Sequence, residues 1–551
     1  MVAGILPVLF YNVVFPAAFL IRLDICILLA NPRFNDHATS PESSRVMRLG
    51  TLASGAVTVS AALVSAEFYS QSTRCCFNLS VISGLAGKVL FPDSAEYTDR
   101  MASYWSVSAA LNPWCIAQPS TAEDVSTIVK TLAASNCTFG VRGGGHGSFA
   151  GSNSVEEGVT VDFGNMNSTT YNSNTRLASI QPGGHWQTVY DTLAPHGVVV
   201  TGGRAGTVGT GGFITGGGNS LHSASHGFAC DTVANFEVVL ADGSVVNANA
   251  TSNPDLWQGL KGSGANLGLV TRFDMYVIEF PDPSKPVVWG GKLYYDLESG
   301  PRVIDAFVDF TENVQKDENS SSILYWGYVP ANGGLFLNAA IQNTLAEVAP
   351  PVFDGYYAAG NIIRDTTKVA LMSVAANELG SNSPGGLRNV WFTLAFANDA
   401  RVMNYAVEKY GALNENLEEA VGGFNTLCMF QPITKSIVDK GVANGGNVLG
   451  LEQYVARGNG VMFLVTLAIN GADNETIAFP HVQAFVEDVE SYAASLDLDW
   501  GWKYLNYAHK LQDVVSSYGD ASVGKLRAAS AKYDPAGVFQ NLRQSGFKIP
   551  I

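Results

Sequence analysis

Positive charge is scarce in this sequence. Its 551 residues carry 32 Lys and Arg against 48 Asp and Glu, a formal net charge of −16. No basic cluster or nucleic-acid motif offsets that deficit, so a phosphate backbone is repelled and no nucleic-acid partner is expected. Charge of either sign is low: 15% of residues are charged and 47% are apolar. That balance argues against a largely disordered chain and, at this length, indicates a globular protein of two domains. No G-x-x-x-x-G-K-S/T loop is present, and no glycine run sits in a clean strand, G-x-G-x-x-G, helix context, which disfavours ATP and nicotinamide sites. His222 and His226 stand four residues apart with no recognisable third ligand, so no metal is expected and HSASH reads as a polar loop. Ser223 and Ser225 beside them lack the nucleophile elbow of a hydrolase. No internal repeat is apparent.

Cysteine is sparse too, seven in all. Residues 1–66 read as a signal- or propeptide-like stretch, or as a mis-assigned N-terminal extension. Met1 to Ile21 is apolar and uncharged, long enough to cross a bilayer, but it contains Pro7 and Pro16 and lacks a basic start. In MRLGTLASGAVTVSAALVSA, Met47 and Arg48 lead a small apolar run ending in Val64-Ser65-Ala66, which is signal-peptide grammar. Either Met47 is the natural start or the chain up to about Ala66 is removed, and no stable membrane partner is expected. With Cys26 gone, Cys75, Cys76, Cys115, Cys137, Cys230 and Cys428 remain, an even number that permits disulfides in an exported protein. Sequons at Asn78, Asn136, Asn167, Asn249, Asn319 and Asn474 agree with secretion.

Glycine is abundant, and most of it is in one region. The chain has 57 glycines, concentrated between Gly140 and Gly268, where two runs dominate: VRGGGHGSFAGS and GGRAGTVGTGGFITGGGNSL. Glycines permit tight turns and close backbone approach, and two such loops bring N–H groups to a pyrophosphate from two sides. An imidazole adds nothing to a turn, so His146 behind Gly143, Gly144 and Gly145 needs a chemical reason. Around these loops, PSTAEDVSTIVKTLAASN reads as a helix capped by Ser120 or Thr121, with Val125, Ile128, Val129 and Leu132 on one face. CTFGVRGGG reads as a strand, RLASIQPGG and VVVTGG as strands around the helix HWQTVYDTLAPHG, and FEVVLADGSVVNANA as a hairpin turning at Asp242-Gly243. PDPSKP, Pro281 to Pro286, is the linker. Beyond it KLYYDL, SILYWGYV and FLNAAIQ alternate as strands, while PRVIDAFVDFTENVQ and HVQAFVEDVESYAASL read as helices.

VRGGGHGSFAGS, TVGTGGFITGGGNSL, NPDLWQGLKGSGANLGLVTRF, WKYLNYAHKLQDVVSSYG and KYDPAGVFQ together resemble the berberine-bridge-enzyme-like FAD-linked oxidoreductases of the vanillyl-alcohol-oxidase superfamily, in a fungal-type secreted form, from about Cys75 to the C-terminus. The resemblance implies an α+β fold: a two-lobed PCMH-type FAD-binding domain and a substrate domain whose large antiparallel sheet is covered by helices. On that plan, after 1–66, residues 67–110 are an N-terminal segment and 111–282 the FAD-binding domain. Residues 283–515 are then the substrate-binding domain, and 516–551 return to the FAD domain. The resemblance implies FAD bound covalently through His146, in a cradle of Arg142, Gly143, Gly144, Gly145, Gly147, Ser148, Thr207, Gly209, Gly212, Gly216 and Val270. Several members add a second link through a cysteine just before the T-V-G run, where this chain has Ala205, so single attachment is implied. Cys230 is displaced from that position and reads as a small core residue. The family's bridge from the N-terminal segment implies a disulfide between Cys137 and Cys75 or Cys76.

The Y-x-N-Y segment of the family is Tyr504-Leu505-Asn506-Tyr507 here. The resemblance implies Tyr507 as base, Tyr504 near the flavin and Asn506 orienting. As a strand, the segment would place the two tyrosines on opposite faces, so both reach the site only if it bends. Some relatives use a glutamate on a neighbouring strand; the equivalent position is Leu464, which argues against a glutamate base. The implied function is a secreted oxidase that moves a hydride from a small organic alcohol, sugar or secondary metabolite to FAD and then to molecular oxygen. The alternatives are a dehydrogenase using another electron acceptor and a non-catalytic secreted binding protein.

Overall fold

Period-two alternation in the second half of the chain produces a sheet with two differently used faces. In the computed structural model, which describes residue 71 and residues 73–381 and 384–551, eight strands form this antiparallel sheet. Its order is Ile362–Asp365, Val287–Tyr295, Gly334–Asn343, Ser320–Val329, Phe424–Ile433, Gly460–Ile469, Arg388–Ala397, with Lys368–Leu371 also paired to Val287–Tyr295. Side chains alternate between faces along each strand. Leu324, Trp326, Cys428, Phe430, Phe463, Val465, Leu394 and Phe396 all belong to the main buried core. Helices Gly300–Asn313, Ala400–Ala420 and Ala472–Ser495 pack against this part of the fold. The opposite face is free to line a site.

The first half supplies two smaller sheets. One has the order Val89–Leu90, Cys115–Ala117, Val159–Asp162, Phe139–Arg142, and its last two pairings are parallel. Helix Ala122–Ala134 makes the crossover between Cys115–Ala117 and Phe139–Arg142. Thr121 is its cap: the Thr121 hydroxyl accepts from Asp124 N–H at 3.2 Å, and the Asp124 carboxylate accepts from Thr121 N–H at 3.2 Å. This reciprocal pair satisfies donors that a helix start leaves orphaned. Val125, Ile128, Val129 and Leu132 are fully buried against the sheet. The second sheet is antiparallel, ordered Thr169–Asn172, Leu177–Ile180, Leu269–Tyr276, Val233–Val239, Val245–Asn249, and its hairpin turns at Asp242-Gly243, with Gly243 at φ +77°.

Residues 516–551 run back to the first sheet. Gln544 N–H donates to Phe139 O at 2.7 Å, and Val141 N–H donates to Ser545 Oγ at 3.0 Å, directly before the glycine turn.

Several expectations change. VVVTGG is a strand only at Val198–Val199. The Tyr504–Tyr507 segment is a turn and not a strand: the N–H groups of Tyr507 and Ala508 both donate to Tyr504 O at 3.0 Å. HSASH is no polar loop, for Ser223–His226 is a short helix and His222 is 2% exposed. The signal-like reading of 1–66 lies outside the described residues. Among the described residues no helix is long and apolar enough to cross a membrane.

Cys75 is bonded to Cys137, and a second bridge joins Cys76 to Cys115, with sequence separations of 62 and 39. Two adjacent cysteines thus pin the N-terminal segment to a strand and to the end of the crossover helix. Cys230 and Cys428 are free and buried. Replacing Cys76 and Cys115 together by serine is expected to lower stability by about 2–4 kcal/mol, read as a lower midpoint in denaturant, with the Cys75–Cys137 peptide still found on non-reducing mapping. An unchanged midpoint would show that the second bridge carries no stability.

Candidate active site

The two glycine runs meet backbone to backbone. A Cβ on Gly144 would lie 2.4 Å from Gly209 Cα, and one on Gly209 would lie 2.5 Å from Gly144 Cα. Only glycine tolerates that approach. The contact is braced from behind: Thr210 N–H donates to Gly184 O at 2.9 Å, and the His185 ring nitrogen Nε2 lies 3.2 Å from Gly144 O. Gly145, at φ +77°, completes the turn into His146.

A cavity of about 360 Å³ opens between these loops and the free face of the large sheet. Gly143, Gly144, Gly145, His146, Gly147, Ser148, Thr207, Gly209, Gly212 and Val270 line it, together with Tyr504, Asn506 and Tyr507. Two expected cradle residues do not. The Arg142 side chain is buried away from it: its guanidinium lies 3.8 Å over the Tyr104 ring, 3.4 Å from the Asp162 carboxylate, and donates to Arg100 O at 2.7 Å and Ser103 O at 2.9 Å. Arg142 therefore supports the turn from beneath, against Gly145. Gly216 is taken up by packing, because a Cβ there would meet Asn506 Oδ1 at 2.1 Å.

His146 is held by aromatic rings. Trp105 stacks on its imidazole, centroids 4.2 Å apart at 11°, and the Trp105 N–H donates to Gly145 O at 3.0 Å. Trp391 stands edge-on to His146 at 6.4 Å and edge-on to Tyr507 at 5.7 Å. Burial pushes the His146 pKa down to about 4, so above that pH the ring is neutral and keeps a nucleophilic lone pair.

The Tyr504–Tyr507 turn brings both phenols to one side, rings 4.9 Å apart and perpendicular. The Tyr504 oxygen accepts from Gly218 N–H at 3.0 Å, Asn219 N–H at 2.8 Å and Asn506 Nδ2 at 3.1 Å. Asn506 Nδ2 also donates to Phe213 O at 3.0 Å. Burial, and then the neighbouring Tyr507, push the Tyr504 phenol up, so it stays protonated and ties the turn to the second glycine run. Tyr507 has a different partner. Arg204 Nη2 donates to its oxygen at 3.2 Å and also to Gln431 Oε1, which Asn219 Nδ2 reaches at 3.5 Å. Arg204 has no carboxylate within ion-pairing distance among the described residues and is bonded to the neutral acceptors Gln431 and Tyr507. Arg204, Gln431, Trp105 and Trp391 were missed by sequence reasoning. Arg204 lies inside the second glycine run, while the others carry no local signal.

Ala205 lines the cavity, and the two free cysteines do not. Leu464 lines the cavity. Among the described residues no group of three potential ligands for a metal ion occurs.

An FAD-binding domain profile matches residues 113–249. The FAD-dependent monooxygenase drtC of Aspergillus calidoustus is 37% identical over 482 residues, covering 86% of this chain and 90% of that protein. Among solved structures, 6-hydroxy-D-nicotine oxidase from Arthrobacter nicotinovorans superposes with a TM-score of 0.68 at 18% identity, covering 86% of this chain and 99% of that one. Glucooligosaccharide oxidase from Acremonium strictum, whose FAD is 6-S-cysteinyl and 8α-N1-histidyl, superposes with a TM-score of 0.68 at 19% identity, covering 87% and 100%. These solved structures show the fold.

The cavity fits FAD, because its glycine walls leave room that side chains would fill. Gly212 tests this: no protein atom lies within 4 Å of a Cβ placed there, and it sits in helix Thr210–Thr215. Gly212→Ala is expected to keep or raise thermal stability while lowering flavin content. Gly209→Ala, forced against Gly144, is expected to lose about 1–3 kcal/mol of stability together with its flavin. Melting curves and flavin absorbance per polypeptide check both, and full flavin content in Gly209→Ala would discard the cradle.

Proposed function

Because this chain belongs to the berberine-bridge-enzyme-like FAD-linked oxidoreductases, we propose that it is a secreted oxidase carrying FAD covalently on His146 alone, with Tyr507 as the base that takes a proton from a small organic substrate. The observation that carries this reading is the shared cavity: a neutral His146 between two tryptophans on one wall, and Tyr507 bonded to Arg204 beside Trp391 on the other. The lobe 111–282 cradles the cofactor, 283–515 supplies the substrate wall, and 516–551 support the strand that leads to His146.

When bound, FAD supplies the ring that accepts a hydride and hands two electrons to an acceptor. The chain's residues do the rest. Gly143 to Gly145 and Gly209 to Gly212 offer backbone to the cofactor at close range. Trp105 and Trp391 fix the His146 ring so that its lone pair has one direction. Tyr507 removes the substrate's hydroxyl proton while Arg204 stabilises the charge on its oxygen. Tyr504 and Asn506 hold the turn that aims Tyr507. Loss of that proton and of a hydride oxidises the substrate by two electrons, and oxygen taking two electrons and two protons leaves as hydrogen peroxide. The relatives named monooxygenases support oxygen as the acceptor over another carrier. Two disulfides and the exposed sequons at Asn78, Asn136 and Asn167 support export.

Acid denaturation is expected to leave the yellow colour on the polypeptide, with peptide mapping placing it on His146 only. Freely released flavin would remove the covalent claim, and a second adduct would remove single attachment. Tyr507→Phe keeps the ring's packing, so flavin loading should survive while anaerobic flavin reduction by substrate slows by about 10²- to 10⁴-fold. Tyr504→Phe should act chiefly on stability and substrate affinity. An unimpaired Tyr507→Phe enzyme, or a larger loss in Tyr504→Phe, would reassign the base.

A further inference from the structure

Thiols and thioethers are the side chains that peroxide oxidises most readily, and packing sorts those of this chain. The free cysteines, Cys230 and Cys428, are fully buried, and burial pushes both thiols well above their ordinary pKa. The thiolate is the reactive form, so both are protected. Among the described residues, Met166, Met275, Met372, Met403 and Met462 are at most 4% exposed. Met101 and Met429 are half-buried. Met101 sits on helix Ala95–Ala102 and does not line the cavity, whereas Met429 does.

The sheet decides which way Met429 opens. Its strand, Phe424–Ile433, lies between Ser320–Val329 and Gly460–Ile469, and Met429 is paired with Tyr325 on one side and Leu464 on the other. Paired residues share a face, and both partners line the cavity. Cys428 and Phe430, before and after it, belong to the core behind the sheet. With strands on both flanks and the core behind, the Met429 side chain opens into the cavity that also holds His146 and Tyr507.

We infer that Met429 is a site of modification, where hydrogen peroxide released in the cavity converts the thioether to its sulfoxide. This rests on the oxidase reading, in which oxygen takes two electrons in this cavity. The sulfur lone pair takes one peroxide oxygen, the O–O bond breaks, and the other oxygen leaves with both protons as water. Sulfur is oxidised by two electrons and peroxide is reduced by two, so the step needs no further reactant. It replaces an adaptable apolar side chain by a polar one. That group stands between Tyr325 and Leu464, two residues from Gln431, whose oxygen accepts from Arg204 and Tyr507. Turnover thus alters the wall beside the proposed base, and a methionine sulfoxide reductase reverses the change.

The test needs no substrate. Flavin-loaded enzyme is reduced anaerobically with an equimolar amount of dithionite and reoxidised with air over repeated cycles, with catalase in solution to destroy peroxide that escapes. A parallel run without catalase measures the peroxide formed, and a third sample receives the same total peroxide from outside without cycling. Peptide masses then locate the added oxygen. Cycling with catalase is expected to oxidise Met429 at least about tenfold more than Met101, because the peroxide arises beside one sulfur. Peroxide from outside should lose that preference. The added oxygen should be removed by methionine sulfoxide reductases and be missing from the matching peptide of Met429→Leu. Peroxide formed on cycling with Met429 intact, Met101 oxidised equally, or the same preference with peroxide from outside would each overturn the inference and leave the oxidase reading standing. No peroxide on reoxidation would overturn both.

Discussion

The site depends on one contact: Gly144 and Gly209 touching through their backbones. Because neither residue has a Cβ, the loop that ends in His146 and the loop that begins helix Thr210–Thr215 share one wall. Everything behind that wall secures it. Arg142 fills the space under Gly145 with a guanidinium that is itself paired with Asp162 and stacked on Tyr104. The C-terminal segment bonds to Phe139 and Val141, and the Cys75 and Cys76 bridges attach the N-terminal segment to the same sheet and its crossover helix. Buried groups this closely packed cannot shift one at a time. A loop of glycines, flexible in isolation, is thereby held in one conformation.

The segment around Trp105 transmits that order to the second lobe. Its N–H holds Gly145 O and its ring lies on His146, while Gly386 N–H donates to Trp105 O and Val107 N–H donates to Leu387 O. Ser106 Oγ donates to Ser148 O and accepts from Asn389 N–H. Trp105, Ser106 and Val107 thus bind the histidine loop to the strand that carries Trp391, which in turn touches Tyr507. The main core is also shared between the lobes, since Trp186 and Ile214 belong to the same buried cluster as Trp326, Phe430 and Tyr504. The geometry between His146 and Tyr507 is therefore set by packing across both lobes and not by a hinge.

What the sequence made legible follows from how local each signal is. The crossover helix announced itself through Thr121, Asp124 and a 3.6-residue apolar stripe, all within fourteen residues. The hairpin at Asp242-Gly243 and the alternating strands of the large sheet were equally local. Tyr504–Tyr507 was misread because aromatic residues favour strands, whereas the turn is imposed from outside by Gly218, Asn219 and Phe213, almost three hundred residues away. Arg142 and Gly216 were assigned to the cradle by motif position. The direction of the Arg142 side chain depends on Asp162 and Tyr104, and the packing at Gly216 on Asn506, which no spacing rule connects to them. The Cys76–Cys115 bridge was invisible for the same reason: pairing is a property of the fold and not of the count. His222 looked polar and is buried, because the helix it starts packs under Lys435–Ala443.

Arg204 and Leu464 belong to one arrangement. A half-buried guanidinium without a carboxylate partner is costly, and a chain with a net charge of −16 has many carboxylates to offer. Among the described residues none is placed here. Leu464 is paired with Met429, and Gln431 follows two residues along the same strand face, so a glutamate at 464 would bring a carboxylate to the wall that already holds Arg204. It would neutralise the guanidinium. With leucine there, Arg204 is left to neutral acceptors, Gln431 Oε1 and the Tyr507 oxygen. The leucine on the wall and the guanidinium bonded only to neutral acceptors among the described residues thus go together. Altering either changes the electrostatics under which the other works.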